Sequence, residues 1–230
     1  MQRFGLLSRL VYRACHLFGG LFVRAYFRMR IENPPALAGP YVLVGNHASL
    51  LDPLLVGIAN KRRIVFLMTS VIYRSPRLGW FYRLVRCIPL APTGGNRDAL
   101  RRAAEALTVG HALCVFPEGG LSRDGSLMLG SPGAVALVLS ENVPVVPFGI
   151  VGAHRALPPH RSWPRPRPIT VRFGAPIDPE ELRALGAGDR RTRLHEATCR
   201  VMREIAVLVG QTAREDELRS MIGRRAAARG

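Results

Sequence analysis

From residue 41 onward, short apolar runs alternate with stretches of helical period. The runs at residues 41–44, 64–68, 87–90, 112–116, 145–150 and 169–173 predict strands. Residues 53–60, 76–84, 97–108 and 133–140 predict helices, and a further helical stretch begins near Asp189. This alternation predicts an α/β fold, a mixed, largely parallel sheet flanked by helices. In such sheets ligands sit beyond the carboxyl ends of the strands.

The N-terminal stretch follows a different pattern. Phe4, Val11, Cys15, Phe18, Phe22 and Met29 recur at helical spacing, and Arg9, Arg13, Arg24 and Arg28 fall on a broad opposite arc. Residues 1–32 are expected to form an amphipathic helical segment lying in a membrane interface, with arginines at the headgroups. The same stripe would also suit a helix packed on the domain's own core, and Gly19-Gly20 could divide the segment into two helices. The longest uncharged run here, residues 14–23, is about half of the ~20 residues a membrane span needs. Arg24, Arg28 and Arg30 follow it with no small-residue cleavage site, so no signal peptide is expected. Asn33-Pro34-Pro35 through Gly39-Pro40 reads as a hinge. Residues 41–210 are expected to form the catalytic domain and residues 211–230 a basic tail that includes Arg224-Arg225.

Composition narrows the setting. A chain of 230 residues suits one domain with an appended segment. Its net charge of +17 rests almost wholly on arginine, Lys61 being the only lysine, and implies an anionic partner. No zinc-finger spacing or RNP-like aromatic run is present, so the expected partner is an anionic membrane surface and not nucleic acid. Cys15, Cys87, Cys114 and Cys199 are widely spaced, with no pair suggesting a metal or redox site. They are expected to be free thiols, mostly acting as small buried hydrophobes.

Two places carry candidate chemistry, each straight after an apolar run. Asn46-His47-Ala48-Ser49-Leu50-Leu51-Asp52 offers a histidine base and a carboxylate to orient it. On one straight helix His47 and Asp52 would stand about 140° apart. Asp52-Pro53 reads instead as an N-cap followed by proline at the first helical position, leaving His47 in a loop that can fold back onto Asp52. Spacing alone also fits a plain capping aspartate beside an unrelated loop histidine. The second place is Phe116-Pro117-Glu118-Gly119, where Glu118 is expected to position a substrate or, alternatively, to brace its loop.

Together these residues resemble the glycerolipid acyltransferase family, the bacterial 1-acyl-sn-glycerol-3-phosphate acyltransferases in particular. Asn46 to Asp52 matches the family's N-H-x-S-x-x-D block, and Phe116-Pro117-Glu118-Gly119 the start of its F-P-E-G-T-R-S block. Ser122-Arg123-Asp124-Gly125 resembles what often follows it. Val143-Pro144-Val145-Val146-Pro147 matches a V-P-V-V-P block, and Phe173-Gly174-Ala175-Pro176-Ile177 is similar to a late G-x-P-I element. Their order and spacing agree over roughly residues 41–182.

The resemblance implies transfer of an acyl group from acyl-CoA or acyl carrier protein to the free hydroxyl of 1-acyl-sn-glycerol-3-phosphate, giving phosphatidic acid, at the cytoplasmic face of the cell membrane; the alternatives are another lysolipid or alcohol acceptor, or a non-catalytic membrane-binding protein with the same fold. It requires no cofactor or metal. It makes His47 the base and Asp52 its partner, Glu118, Gly119, Ser122 and Arg123 the acceptor-binding set, and Asn46 and Ser49 supports of the loop or of an oxyanion. Backbone amides near Ser49–Leu51 or at Gly119 are the candidate oxyanion donors. No G-x-S-x-G elbow is present, which counts against an α/β-hydrolase esterase. Two positions depart from the family pattern. Pro92 and Leu121 stand where it has arginines that hold the acceptor's phosphate, and Arg86, Arg97 and Arg123 are the candidates to replace them.

Overall fold

The computed structural model describes residues 6–91, 96–185 and 189–212. Phe4, Pro92 and the tail beyond residue 212 lie outside the described residues, as does the side chain of Arg9 and of Cys15.

A seven-stranded sheet organises the molecule. Its strands are β1 (Arg30–Glu32), β2 (Val42–Gly45), β3 (Ile64–Thr69), β4 (Ile88–Leu90), β5 (Ala112–Val115), β6 (Val145–Val151) and β7 (Thr170–Phe173), in the order β1-β7-β6-β2-β5-β3-β4. β6, β2, β5, β3 and β4 are mutually parallel; β7 runs antiparallel to β6, and β1 pairs parallel with β7. The mixed, largely parallel sheet expected from the alternating runs is therefore present. β2, β5 and β6 are buried on both faces, which is why they read as unbroken apolar runs.

Ten α-helices flank the sheet among the described residues: α1 (Leu6–Ala14), α2 (Gly20–Tyr26), α3 (Asp52–Ala59), α4 (Ser70–Tyr73), α5 (Gly79–Leu84), α6 (Arg97–Thr108), α7 (Gly133–Glu141), α8 (Ala153–Ala156), α9 (Pro179–Ala184) and α10 (Arg190–Val209). One apolar cluster unites α6, α7, α9 and α10 with Val42, Val44, Leu113 and Val115 of the sheet. The other joins α2, α3 and α8 to Leu43, Cys114, Val146 and Phe148 on the opposite face. Successive residues of β2 and β5 thus feed opposite cores, as the pleat requires. Cys87, Cys114 and Cys199 are buried, Cys114 within the second cluster.

The N-terminal segment is less separate than its sequence suggests. Gly19 and Gly20 do not break it. Both keep helical dihedrals, a π-helical turn (Cys15–Gly19) joins α1 to α2, and the two glycines face Leu54 and Ile58 of α3. Val23, Phe27 and Met29 are buried in the domain core, and β1 is an edge strand of the sheet, so the expected boundary at residue 32 cuts through the domain. Met29, expected on a membrane-facing stripe, leaves it because the chain turns at Arg28, which has φ 47°. The apolar side chains that do face outward are Leu10, Leu17, Phe18, Leu21 and Phe22, with Arg13, Arg24 and Arg28 exposed beside them. No helix among the described residues is long and apolar enough to cross a membrane.

Candidate active site

β2 and β5 are parallel neighbours, so the loops that follow them leave the same edge of the sheet side by side. The first carries Asn46 to Leu51, the second Phe116 to Ser131.

Asp52 organises the first loop. Its side chain is fully buried, and Oδ2 lies 3.0 Å from His47 Nδ1. The same oxygen accepts the amides of Ala48 at 2.7 Å and Ser49 at 2.8 Å. Asp52 is therefore not the N-cap expected from the Asp-Pro pair. Leu51 takes that position, Asp52 is the first helical residue, and its carboxylate turns back over the loop. Proline still stands in the first turn of α3, where its missing N–H costs nothing. A carboxylate accepting from Nδ1 fixes the tautomer with its lone pair on Nε2. The side chain keeps 16% of its surface exposed, and with Nδ1 facing Asp52 the nitrogen left to meet a substrate is Nε2.

The ring of His47 is fixed from the side as well. It lies parallel to Phe116, with centroids 4.0 Å apart and planes 15° apart. Phe116 in turn meets Phe148 of β6 edge-on at 6.0 Å. Gly45 makes this stack possible, because a Cβ there would run into the Phe148 ring.

Glu118 ties the two loops together. Oε1 accepts the His47 amide at 2.8 Å and Oε2 the Met128 amide at 2.9 Å. Expected to position the acceptor, it spends both oxygens on backbone, which is the bracing alternative. Burial raises its pKa to about 7, against the lowering pull of the Met128 and His47 amides and of His47's charge; Asp52 adds a smaller upward push.

Ser122 is also structural here. It is buried, its amide donates to the His47 carbonyl at 2.8 Å, and its hydroxyl bonds Asp124 and accepts the Gly125 amide. Asn46 exchanges two hydrogen bonds with the backbone of Ile150, pinning β2 to β6. Ser49 Oγ donates to the Leu157 carbonyl and accepts the Leu51 amide. Asn46 and Ser49 thus support loops with their side chains.

Three of the amides considered for stabilising an oxyanion are engaged within the loops. Ser49 N is held by Asp52, Leu51 N by Ser49 Oγ, and Gly119 N by the Phe116 carbonyl at 3.3 Å. Gly119 has φ 72°, and Gly119, Gly120 and Arg123 are exposed at the lip of the second loop. Leu121 is half-buried beside them.

Sequence reasoning missed two contributors. Phe116 was visible only as a motif letter, since its stacking partner lies 69 positions away (47 to 116). His154, just past β6, faces the Ala48 carbonyl through Nδ1 at 3.2 Å and leaves no room for a side chain at Gly125. Nothing local in the sequence marks it out.

The arrangement is a buried carboxylate and an oriented, partly exposed imidazole whose Nε2 is not engaged by that carboxylate, which suits removal of a proton from a hydroxyl. Comparison with known proteins points the same way. A family model described as Acyltransferase matches residues 27–151, which include both loops. A 1-acyl-sn-glycerol-3-phosphate acyltransferase of Limnanthes douglasii is 28% identical over 211 residues, covering 87% of this chain and 73% of the plant protein. The "Probable 1-acyl-sn-glycerol-3-phosphate acyltransferase" of Mycoplasma pneumoniae is 30% identical over 187 residues, covering 74% of this chain and 68% of its own. Among solved structures, the 1-acyl-sn-glycerophosphate (LPA) acyltransferase PlsC of Thermotoga maritima shares the fold. Its TM-score is 0.67 over 87% of this chain and 80% of the other, at 23% identity.

Proposed function

Because the chain belongs to the Acyltransferase family, we propose that it acylates the free hydroxyl of 1-acyl-sn-glycerol-3-phosphate to give phosphatidic acid. The acyl donor is a thioester, acyl-CoA or acyl carrier protein. The observation that carries the chemistry is the 3.0 Å contact between His47 Nδ1 and the buried Asp52 carboxylate. The names of the relatives support the choice of acceptor.

In this mechanism His47 Nε2 takes the proton of the acceptor hydroxyl. The oxygen attacks the thioester carbonyl carbon, the tetrahedral intermediate collapses, and the C–S bond breaks. The departing thiolate takes the proton from the imidazolium, so the enzyme ends as it began. The Asp52 carboxylate stabilises the imidazolium. No enzyme nucleophile is required. Cys114 does not serve as one, since burial holds its thiol well above the ordinary range.

The lipid substrates would be met at a membrane surface. The exposed Leu10, Leu17, Phe18, Leu21 and Phe22, rimmed by arginines, suit a helix pair lying on anionic lipid, peripheral to the cytoplasmic face. A second reading of the acceptor, a lysolipid or alcohol without a phosphomonoester, is favoured by Leu121 in place of an arginine. Exposed Arg123 stands two residues away as the candidate to grip phosphate instead.

A mass-spectrometric acceptor screen with purified protein and acyl-CoA separates the two. Phosphatidic acid as the main product, with a raised Michaelis constant for lysophosphatidate in Arg123→Ala, supports the first reading. Product from other acceptors only would replace it with the second.

A further inference from the structure

The hairpin formed by α4 and α5 has no part in the chemistry above. β3 is parallel to β5, so α4 leaves the sheet at the edge that carries His47 and Glu118. Its large apolar side chains point outward. Val71 is 70% and Trp80 60% exposed, with Ile72 and Leu78 beside them.

This is a built surface. Arg74 N bonds the Ser70 carbonyl, Ser75 N that of Ile72 and Gly79 N that of Ser75. A Cβ on Gly79 would stand 2.9 Å from the Tyr73 carbonyl, so the two short helices meet at a residue with no side chain. Trp80 Nε1 donates to the Arg77 carbonyl at 3.1 Å, which satisfies the indole's one polar group and leaves its apolar body outside. Exposed Arg74, Arg77 and Arg83 are interleaved with these side chains, and no acidic residue occurs between Asp52 and Asp98.

A bilayer of anionic lipid matches both halves of this surface, apolar side chains toward the acyl region and guanidinium groups at the phosphates. The far side of the sheet argues for a broad, flat partner. β1 starts immediately beyond α2, and through Arg30, Thr170 and Val151 its first residue is aligned with the carboxyl end of β6. α2, with exposed Leu21 and Phe22, therefore reaches the same edge from the opposite end of the strand order. Two arginine-rimmed apolar patches thus flank the active-site loops along one edge.

We propose that the α4–α5 hairpin is a second membrane-docking element, which acts with α2 to hold the carboxyl edge of the sheet against an anionic bilayer. The inference rests on the lipid-directed reading above.

The chain has two tryptophans, so Trp163→Phe leaves Trp80 as a single reporter in the full-length protein. With vesicles of phosphatidylglycerol and phosphatidylethanolamine, Trp80 emission should move to shorter wavelength and be quenched by bromines on the acyl chains. Val71→Asp with Ile72→Asp should weaken vesicle binding by about tenfold or more, since both apolar side chains would leave the interface. Both positions face outward, and circular dichroism would check that the variant folds. Vesicle co-sedimentation with an unshifted Trp80 would overturn the hairpin's role and leave the N-terminal attachment standing. No co-sedimentation at all would overturn both. A blue shift that grows with protein concentration and ignores vesicles would replace the bilayer with a second copy of the chain.

Discussion

The imidazole of His47 and the ring of Phe116 are stacked at 4.0 Å, on loops that follow adjacent parallel strands. The two main motif blocks are thus joined at His47, the proposed base. Phe116 holds the ring plane, Asp52 holds Nδ1, and Glu118 holds the backbone amide.

Phe116→Ala should therefore act on turnover more than on substrate binding. Aromatic pairs are worth about 0.5–1.5 kcal/mol beyond their buried area. If that energy serves to orient His47, kcat should fall roughly twofold to tenfold. Phe116→Tyr should recover most of the loss. Steady-state kinetics would show it, and an unchanged kcat with a raised KM would assign Phe116 to the substrate pocket instead.

Glu118→Gln should change how stability depends on pH. The folded pKa, about 7, lies above the ordinary 4.5, so the folded state holds this proton more firmly than the unfolded chain. This group's contribution to stability is therefore most favourable at low pH, falls as pH rises from 4.5, and is lost once pH passes about 7. Glutamine has no such proton. Urea unfolding from about pH 5 to about pH 8 should show wild type losing stability relative to the variant as pH rises. Parallel curves would contradict the raised pKa. The variant should still be the less stable at low pH, because an amide cannot accept from both backbone N–H groups as the carboxyl group does.

Truncation should separate membrane attachment from folding at a particular place. Deleting residues 1–30 removes Val23, Phe27 and Met29 from the core. At about 1.5–3 kcal/mol for each buried side chain, that loss is comparable with a small domain's whole stability. This deletion should yield insoluble or unfolded protein. Deletion of residues 1–18 spares those side chains and removes Leu10, Leu17 and Phe18, so it should fold and bind anionic vesicles less well. Circular dichroism with vesicle co-sedimentation would distinguish the two, and a folded 1–30 deletion would contradict the core assignment.

The sheet was legible because its inner strands are buried on both faces and leave unbroken apolar runs. β1 was not, since Arg30-Ile31-Glu32 is a three-residue edge strand with two exposed charged residues. Residue types and the loop between them allowed the pairing of His47 with Asp52 but fitted a plain capping aspartate as well; the resemblance to the N-H-x-S-x-x-D block favoured the pair. The roles of Asp52 and Glu118 within that site could not be read. Both bind backbone amides, and amides carry no sequence signature. The N-terminal stripe shows the limit of periodicity. Spacing placed Phe22 and Met29 on one face, but the turn at Arg28 sends Met29 into the core while Phe22 stays partly outside.

The central claim is that His47, oriented by Asp52, removes the proton from the acceptor hydroxyl. Single-turnover acyl transfer by His47→Ala, on protein shown by circular dichroism to be folded, tests it most directly. General-base catalysis is worth about 10²–10⁴-fold, and the variant's rate should fall by that factor with little change in melting temperature. A folded variant that keeps more than about a tenth of the wild-type rate would contradict the assignment.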